Sequence, residues 1–218
     1  MECREELIEK ITGMVMEQWE RLQKDPYQVP VGISARHVHL TREHVEKLFG
    51  TGYQLTPYKA LSQPGQFACK EQIAVCGPLG DLSKVRILGP ERKESQVEVA
   101  LSDCRKLGIR PPVRTSGDLK GTPSVLLKGP KGEVLLEEGT IIADRHIHMT
   151  PEDAKWFGVR DGERVSVFVK GPRGGVLDQV LIRITGESRL DFHVDIDDAN
   201  AFQLEQGEWV TIRKENTR

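Results

Sequence analysis

Apolar residues near the start of the chain recur every three or four positions, which is the spacing of one helix face. The residues of this stripe are Leu7, Ile8, Ile11, Met14, Val15, Trp19 and Leu22. Pro26 and Pro30 then interrupt the period. The pattern predicts an amphipathic helix within residues 1–24, followed by a linker. Such a stripe packs on its own domain, forms a dimer seam or docks on a partner, and the sequence leaves these alternatives open.

After residue 30 the pattern changes to short strand-like apolar runs separated by glycine turns. The clearest runs are residues 72–75, 84–88, 164–169 and 180–184. Gly-Pro pairs follow or precede several of them, and many short strands with glycine turns are typical of barrels and sandwiches. The helices predicted here are few and short, and the clearest cover residues 41–48 and 150–157, with Thr150 as an N-cap and Pro151 at the first helical position of the second.

An internal repeat relates the two halves of the globular part. Residues 36–43 (RHVHLTRE) and 145–152 (RHIHMTPE) are identical at five of eight positions. The similarity continues downstream, where residues 77–80, 85–87 and 97–103 align with 171–174, 182–184 and 192–198. We therefore expect a mainly β fold with two interlinked β-barrel domains, residues 28–118 and 119–218, related by a pseudo-twofold axis and carrying short capping helices.

Composition excludes several classes of protein. Lys and Arg number 31 against 33 Asp and Glu, a net charge of −2, which argues against a dedicated nucleic-acid binder. No apolar run is long enough to span a bilayer. The four cysteines have no signal peptide ahead of them and form no C-x-x-C pair. We therefore expect a cytoplasmic protein with reduced, mostly buried thiols.

The repeat contains two H-x-H pairs. Residues two apart on a strand share a face, so His37 and His39 point the same way, as do His146 and His148. The alignment places Glu98 and His193 at equivalent positions. Each copy thus offers three metal ligands and an open position, the pattern of a catalytic zinc site. The alternative is that these histidines only satisfy backbone groups in ordinary strands.

A second alternative is a cupin, because His37 and His39 followed by Glu43 and Gly50 resemble the first cupin motif. Against this, Glu43 lies in the first turn of a predicted helix, and Gly158 in the second copy is spaced differently. The chain has no G-x-S-x-G elbow, Walker loop or G-x-G-x-x-G motif. The chemistry therefore depends on metal ions and arginines, which suit phosphoryl or acyl-phosphate substrates. The candidate arginines are Arg36, Arg86, Arg92 and Arg145, and Arg92 is favoured.

Four segments make the likeness to a known family specific. Residues 33–40 (ISARHVHL), 89–99 (GPERKESQVEV), 116–121 (SGDLKG) and 145–149 (RHIHM) resemble the PduL-type phosphate propanoyltransferases. The resemblance extends from about residue 29 to residue 211. One departure is Asp144, where a small or neutral residue is expected.

The resemblance implies a two-barrel phosphotransacylase that interconverts propanoyl-CoA plus phosphate and propanoyl phosphate plus coenzyme A, with acetyl as a second acyl group. It assigns one zinc ion to His37, His39 and Glu98 and another to His146, His148 and His193. Phosphate is assigned to Arg92, the expected catalytic residue. The expected coenzyme A contacts are Ile33, Ser34, Ala35, Arg86 and Asn200.

The expected mechanism is direct acyl transfer between the two barrels, with metal ions orienting the reactants and Arg92 neutralising phosphate charge. A metal-dependent hydrolase or thioesterase using the same ligands is the alternative, and a non-catalytic metal-binding module is a third option. Family members that work in bacterial microcompartments carry an N-terminal amphipathic extension, which residues 1–24 resemble. The expected partners are shell or lumen proteins and further copies of the chain, in a homodimer or higher oligomer, without nucleic acid or membrane.

Overall fold

The computed structural model describes residues 8–16, 19 and 25–213. Residues 8–16 form helix α1, and residue 19 is also helical. The rest of the helix predicted within residues 1–24 lies outside the described residues. The other helices are α2 (Arg42–Phe49), α3 (Leu101–Leu107), α4 (Pro151–Phe157) and α5 (Ile196–Phe202). Each of them is two turns long, as the sequence predicted for capping helices.

The described part of the chain contains fifteen strands. The strands of the first half are β1 (Gln28–Ser34), β2 (His37–His39), β3 (Pro57–Ala60), β4 (Phe67–Cys76), β5 (Asp81–Gly89), β6 (Gln96–Glu98) and β7 (Val113–Arg114). Those of the second half are β8 (Val125–Lys128), β9 (Glu133–Leu136), β10 (Thr140–Ala143), β11 (His146–Met149), β12 (Arg164–Val169), β13 (Gly175–Ile184), β14 (Asp191–Asp195) and β15 (Trp209–Arg213).

The strands form two sheets. Six of them close a barrel in the order β1-β14-β11-β13-β12-β15. The other nine form a curled, half-barrel sheet in the order β7-β10-β6-β2-β5-β4-β8-β9, with β3 paired to β4. The expectation of a mainly β fold with two barrel-like units is confirmed.

The two sheets exchange strands between the halves of the chain. Strand β1 runs parallel to β14 and antiparallel to β15, and thereby closes the barrel. Strands β8, β9 and β10 follow residue 118 but belong to the nine-stranded sheet. The predicted division into residues 28–118 and 119–218 therefore does not separate the sheets. Closing the barrel requires β1, because without it β14 and β15 would keep unpaired edges.

Each sheet has its own hydrophobic core. Val38, Val45, Leu48 and Leu107 belong to the core that the nine-stranded sheet forms with α2 and α3. Ile147 belongs to the second core, inside the barrel. Successive side chains of a strand point to opposite faces of the sheet. Because Val38 and Ile147 point into the cores, the histidines on either side of each point away from them.

Strand register confirms one part of the repeat alignment and corrects another. His37 pairs with Glu98 and His146 pairs with His193, so Glu98 and His193 are structurally equivalent. The alignment of Arg86 with Arg183 is wrong by two residues, because Arg86 lies beside His37 whereas Arg183 lies beside His148. The strand pairs β4–β5 and β12–β13 contain register shifts, which a sequence alignment cannot detect.

Two expectations from composition also have structural counterparts. None of the helices in the described part of the chain is long and apolar enough to cross a membrane. Cys69, Cys76 and Cys104 are free thiols, and Cys69 and Cys104 are buried. Cys3 lies outside the described residues.

Candidate active site

A cavity of about 660 Å³ lies where the two sheets meet. Both H-x-H pairs line it, one from β2 of the nine-stranded sheet and one from β11 of the barrel. Each pair lies on a strand that has a parallel neighbour on one side and an antiparallel neighbour on the other. The two halves of the repeat therefore present their histidines to one shared space.

The first cluster consists of His37, His39 and Glu98, whose potential ligand atoms all lie within 4.8 Å of one another. Nδ1 of His37 donates to the carbonyl oxygen of Ala35 at 2.9 Å. Nε2 of His37 lies 3.4 Å from Oε2 of Glu98, whose side chain is only 12% exposed. The backbone contact therefore orients the His37 ring so that Nε2 faces the centre of the cluster.

The second cluster consists of His146, His148 and His193, again with potential ligand atoms within 4.8 Å of one another. Nδ1 of His146 contacts the carbonyl oxygen of Asp144 at 2.7 Å, the same arrangement as at His37. Nε2 of His146 lies 3.1 Å from Nε2 of His148. Two nitrogens bound tetrahedrally to one zinc ion, each at about 2.0–2.1 Å, would have nearly this separation.

Burial controls the protonation of these groups. It lowers the pKa of His39 to about 3, of His146 to about 4 and of His148 to about 2, and neighbouring imidazoles add to the effect. Burial opposes ionisation of both Glu98 and His37, but their attraction outweighs it, lowering the pKa of Glu98 and raising that of His37. At neutral pH three imidazoles thus keep their lone pairs and Glu98 is a carboxylate.

These features fit a metal ion in each cluster. Metal ligands must be deprotonated, and the lowered pKa values of His39, His146, His148 and Glu98 favour that state. Nδ1 of His39 is buried and has no hydrogen-bond partner among the described residues. Three nitrogen or oxygen ligands with a fourth position facing a cavity are typical of catalytic zinc. His37, His39 and Glu98 could hold one ion, and His146, His148 and His193 the other.

The predicted substrate residues divide into two groups. Ile33, Ser34, Ala35, Arg86 and Arg92 all line the cavity. Asn200 is exposed on α5 and is not part of the cavity wall.

Arg86 and Arg92 differ in the hydrogen-bond acceptors that their guanidinium groups already contact. Arg86 donates to the carbonyl oxygens of Cys69 and Lys70, each at 2.9 Å. Arg92 is half-buried and donates to the hydroxyl of Ser116 at 3.1 Å. Because Arg92 has one neutral acceptor where Arg86 has two, more of its N–H donors are available, and Arg92 is better placed than Arg86 to bind an anion in the cavity.

The other two candidate arginines anchor helices instead. Arg36 forms an ion pair with Asp103 of α3 at 2.7 Å, and Arg145 forms one with Asp198 of α5 at 3.1 Å. The first ion pair connects the start of β2 to α3, the helix that follows Glu98 on β6. The second connects the start of β11 to α5, the helix that follows His193 on β14. These equivalent contacts hold the strands of each cluster together.

Asp144, the departure from the family pattern, also has a structural explanation. Its carboxylate forms an ion pair with Arg164 at 2.6 Å, so its charge is compensated outside the cluster. Its backbone carbonyl is the group that orients His146. The acidic side chain is therefore compatible with the neighbouring site.

The structure brings further residues to the cavity that sequence reasoning did not single out. They include the polar residues Lys59, Ser62, Gln63, Gln66, Ser116, Arg183 and Gln206. The guanidinium of Arg183 makes no hydrogen bond or ion pair within the described part of the chain, and its charge adds to partial burial in lowering the pKa of the half-buried Arg92. The two-residue period along β13 could have placed Arg183 on the cavity face, but only if its register beside His148 had been known.

Comparisons with known proteins match one family over most of the chain. Residues 30–205 match a family model described as phosphate propanoyltransferase. A phosphate propanoyltransferase of Thermotoga maritima is 51% identical over 207 residues, which cover 94% of this chain and 98% of the relative. One of Rhodobacter capsulatus is 50% identical over 190 residues, covering 87% and 88%. One of Lachnoclostridium phytofermentans is 50% identical over 208 residues, covering 94% and 97%.

Two barrel-like sheets around a cavity with paired histidine clusters define, together with these matches, an acyltransferase. The chain belongs to the phosphate propanoyltransferase family. Both the family and the enzyme class expected from the sequence are confirmed.

Proposed function

We propose that this chain transfers a propanoyl group between coenzyme A and inorganic phosphate. A phosphate oxygen bonds to the propanoyl carbonyl carbon, the thioester bond breaks, and the sulfur leaves as the thiolate of coenzyme A. The observation that carries the proposal is the convergence of both clusters and Arg92 on one cavity. Acetyl-CoA is a second substrate in this proposal, since nothing in the transfer depends on the third carbon of the acyl chain.

Two zinc ions are part of the proposal, one held by His37, His39 and Glu98 and the other by His146, His148 and His193. When bound, they would supply positive charge that polarises the thioester carbonyl and counters the charge of phosphate. The protein's own contribution is orientation, because the backbone carbonyls of Ala35 and Asp144 fix the first histidine of each cluster.

Arg92 binds the phosphate oxygens and holds the nucleophile against the acyl carbon. Its planar guanidinium can contact two phosphate oxygens at once, which a point charge cannot do. Holding two reactants in register supplies much of the rate of such a direct transfer, so no acyl-enzyme is needed. Arg183, without an acceptor of its own among the described residues, adds positive charge to the same cavity.

Coenzyme A occupies the part of the cavity lined by Ile33, Ser34, Ala35 and Arg86. The amide of Ile33 already donates to Oε1 of Gln206 at 2.8 Å, so this segment is held in place before the substrate binds. Asn200 lies outside the cavity wall and contacts the tail of the coenzyme beyond it.

The proposal is tested by thiol release from propanoyl-CoA with and without phosphate, together with trapping of acyl phosphate as a hydroxamate. We expect release that requires both phosphate and zinc and yields propanoyl phosphate. Release that ignores phosphate would instead establish the thioesterase considered from the sequence, which the comparisons do not favour.

His146→Ala removes one ligand of the second cluster and should abolish turnover without unfolding the chain. His44→Ala is the matched control, because His44 contacts Ser95 and lies outside the cavity wall. Turnover that survives in His146→Ala would contradict the metal assignment.

The proposal extends to the N-terminal segment. Large apolar side chains of α1 are 52–64% exposed, so this helix is available for a partner. We assign it to targeting into a bacterial microcompartment through shell or lumen proteins, with self-association into a homodimer or higher oligomer as the alternative role.

A further inference from the structure

The two clusters differ in what supports their third member. Gln96 lies opposite His39, and Asp191 lies opposite His148, so these two residues occupy equivalent positions. The amide of Gln96 donates to the carboxylate of Glu98 at 2.5 Å. In the barrel, Nε2 of His193 donates to Oδ2 of Asp191 at 2.8 Å. An acidic ligand is thus supported by a donor, and a basic ligand by an acceptor.

Asp191 is well placed for this contact. It is 3% exposed and precedes His193 by two residues, so both side chains lie on the same face of β14. The hydroxyl of Ser62 also lies near Nε2 of His193, at 3.4 Å. The shorter distance and the negative charge make Asp191 the main acceptor.

Gly32 provides the space that the pair occupies. It pairs directly with His193 across β1 and β14. A Cβ at position 32 would lie 2.7 Å from Cδ2 of His193 and 2.8 and 2.9 Å from the carboxylate oxygens of Asp191. Real Cβ atoms do not approach other atoms this closely, so a side chain larger than hydrogen would displace the pair.

This packing decides which nitrogen of His193 faces the cluster. The Cδ2–Nε2 edge of the ring is turned toward Gly32 and Asp191, and Nδ1 is the ring atom opposite that edge. Strand β14 lies between β1 and β11, so Nδ1 points toward the histidines of β11. The His193 ring centroid is 5.2 Å from that of His146 and 4.8 Å from that of His148.

We propose that Asp191 is a positioning residue that makes His193 present Nδ1 to the metal ion, in contrast to His146, which presents Nε2. Gly32 completes this arrangement by leaving room for the pair. The inference rests on the proposed function in requiring a metal ion in the second cluster. A carboxylate that accepts the distal N–H of a ligating imidazole fixes its tautomer and strengthens it as a ligand.

The test is zinc affinity, measured by competition with a chromophoric chelator that resolves two sites. Asp191→Asn keeps the shape of the side chain but removes its charge. We expect affinity at one of the two sites to fall about 10- to 100-fold, while the other site is unchanged. Asp178→Asn is the matched control, since Asp178 contacts Ser166 in the same barrel outside the cavity wall.

Gly32→Ala places a methyl group of β1 against the same His193–Asp191 pair. It should therefore lower the zinc affinity of the same site. Equal loss at both sites, or no loss in Asp191→Asn, would overturn the inference. If either variant fails to fold, nitrogen-15 NMR of the zinc-loaded wild-type protein still tests the inference. There the distal nitrogen Nε2 of His193 should carry the proton, and a protonated Nδ1 would overturn the inference.

The outcomes separate this inference from the proposed function. A wild-type protein that binds two zinc ions but makes no propanoyl phosphate contradicts the proposed function alone. A wild-type protein that is active but shows Nε2 of His193 on the metal contradicts the role of Asp191 alone. A wild-type protein without a second ion contradicts both.

Discussion

Four arginines are candidates for phosphate from the sequence, and their contacts distinguish them. Arg36 and Arg145 are neutralised by aspartates, and Arg86 is held by two backbone carbonyls. Arg92 has a hydroxyl as its partner and lines the cavity that both clusters share. Of the four candidates, Arg92 therefore has the most N–H donors available for an anion, and Arg183 adds a further positive charge to the cavity.

Arg92→Lys should lower the kcat/KM of propanoyl phosphate formation about 100-fold, although it keeps the positive charge. The loss is expected because an ammonium cannot contact two phosphate oxygens in one plane, and one charge-stabilising donor contributes about 10²–10³ in rate. The measurement is steady-state kinetics with phosphate as the varied substrate. Arg173→Lys, in an exposed turn, is the control. Full activity in Arg92→Lys would show that Arg92 acts only as a point charge.

At the scale of single elements, the H-x-H strands could be predicted because their cause is local. Period-two alternation puts Val38 and Ile147 in the cores and their histidine neighbours in the cavity. Equivalence of Glu98 and His193 also followed from the repeat, and the strand register confirms it.

Other features depended on pairings between distant parts of the chain. Three such features are the pairing of β1 with the barrel, the register of Arg183 beside His148 and the packing of Asp191 near Gly32. Each of them involves residues from different elements. Nothing local at Gly32 marks it as necessary, since its role arises from β14 packing beside it. Such pairings follow from closure of the barrel, which no local pattern encodes.

Two Gly-Pro turns have a structural role that their sequence does not reveal. The amide of Leu79 donates to the carbonyl oxygen of Leu107 at the end of α3, and the amide of Lys131 donates to that of Leu48 near the end of α2. Gly77 and Gly129 allow this approach. These turns therefore satisfy helix carbonyls that would otherwise lack partners.

Gly77→Ala and Gly129→Ala should each lower the free energy of unfolding by about 1–3 kcal/mol. A Cβ would lie 2.3 Å from the carbonyl oxygen of Leu107 in the first variant and 2.5 Å from that of Leu48 in the second. Backbone atoms cannot move aside as a flexible side chain can. Denaturant unfolding measures the effect.

Gly186→Ala is the control for these variants. Position 186 has no heavy atom within 4 Å of an added Cβ, so its stability should change by less than about 0.5 kcal/mol. If Gly77→Ala were as stable as Gly186→Ala, the turn would not pack on the end of α3 as described.

On the scale of the whole molecule, the two halves of the repeat are joined through their helices α3 and α5. Asp197 of α5 accepts hydrogen bonds from the backbone amide and the hydroxyl of Ser102 of α3, at 2.8 and 2.7 Å. Ala100, at the N-cap of α3, offers no side-chain acceptor, so Asp197 takes that role from the other half of the repeat. The helices that anchor the two clusters are thus joined directly.

The N-terminal segment stands outside this arrangement. Its described apolar residues are exposed, and no residue before Gly32 lines the cavity. The chain becomes tied to the barrel at Asp25, which accepts a hydrogen bond from the hydroxyl of Thr211, and Tyr27, which accepts one from the amide of Ile212. A chain that begins at residue 25 keeps both contacts.

Deletion of residues 1–24 should therefore leave kcat/KM within about twofold and the melting temperature nearly unchanged, because surface changes away from packed features alter stability by only about 0.5 kcal/mol. It should reduce the assembly size measured by light scattering, since the apolar face of α1 would be lost. Ile11→Asp in the full-length chain places a charge on that face and should reproduce the smaller assembly without shortening the protein. Loss of folding on deletion would mean that the segment belongs to the barrel core, and an unchanged assembly size would leave the helix free for a different partner.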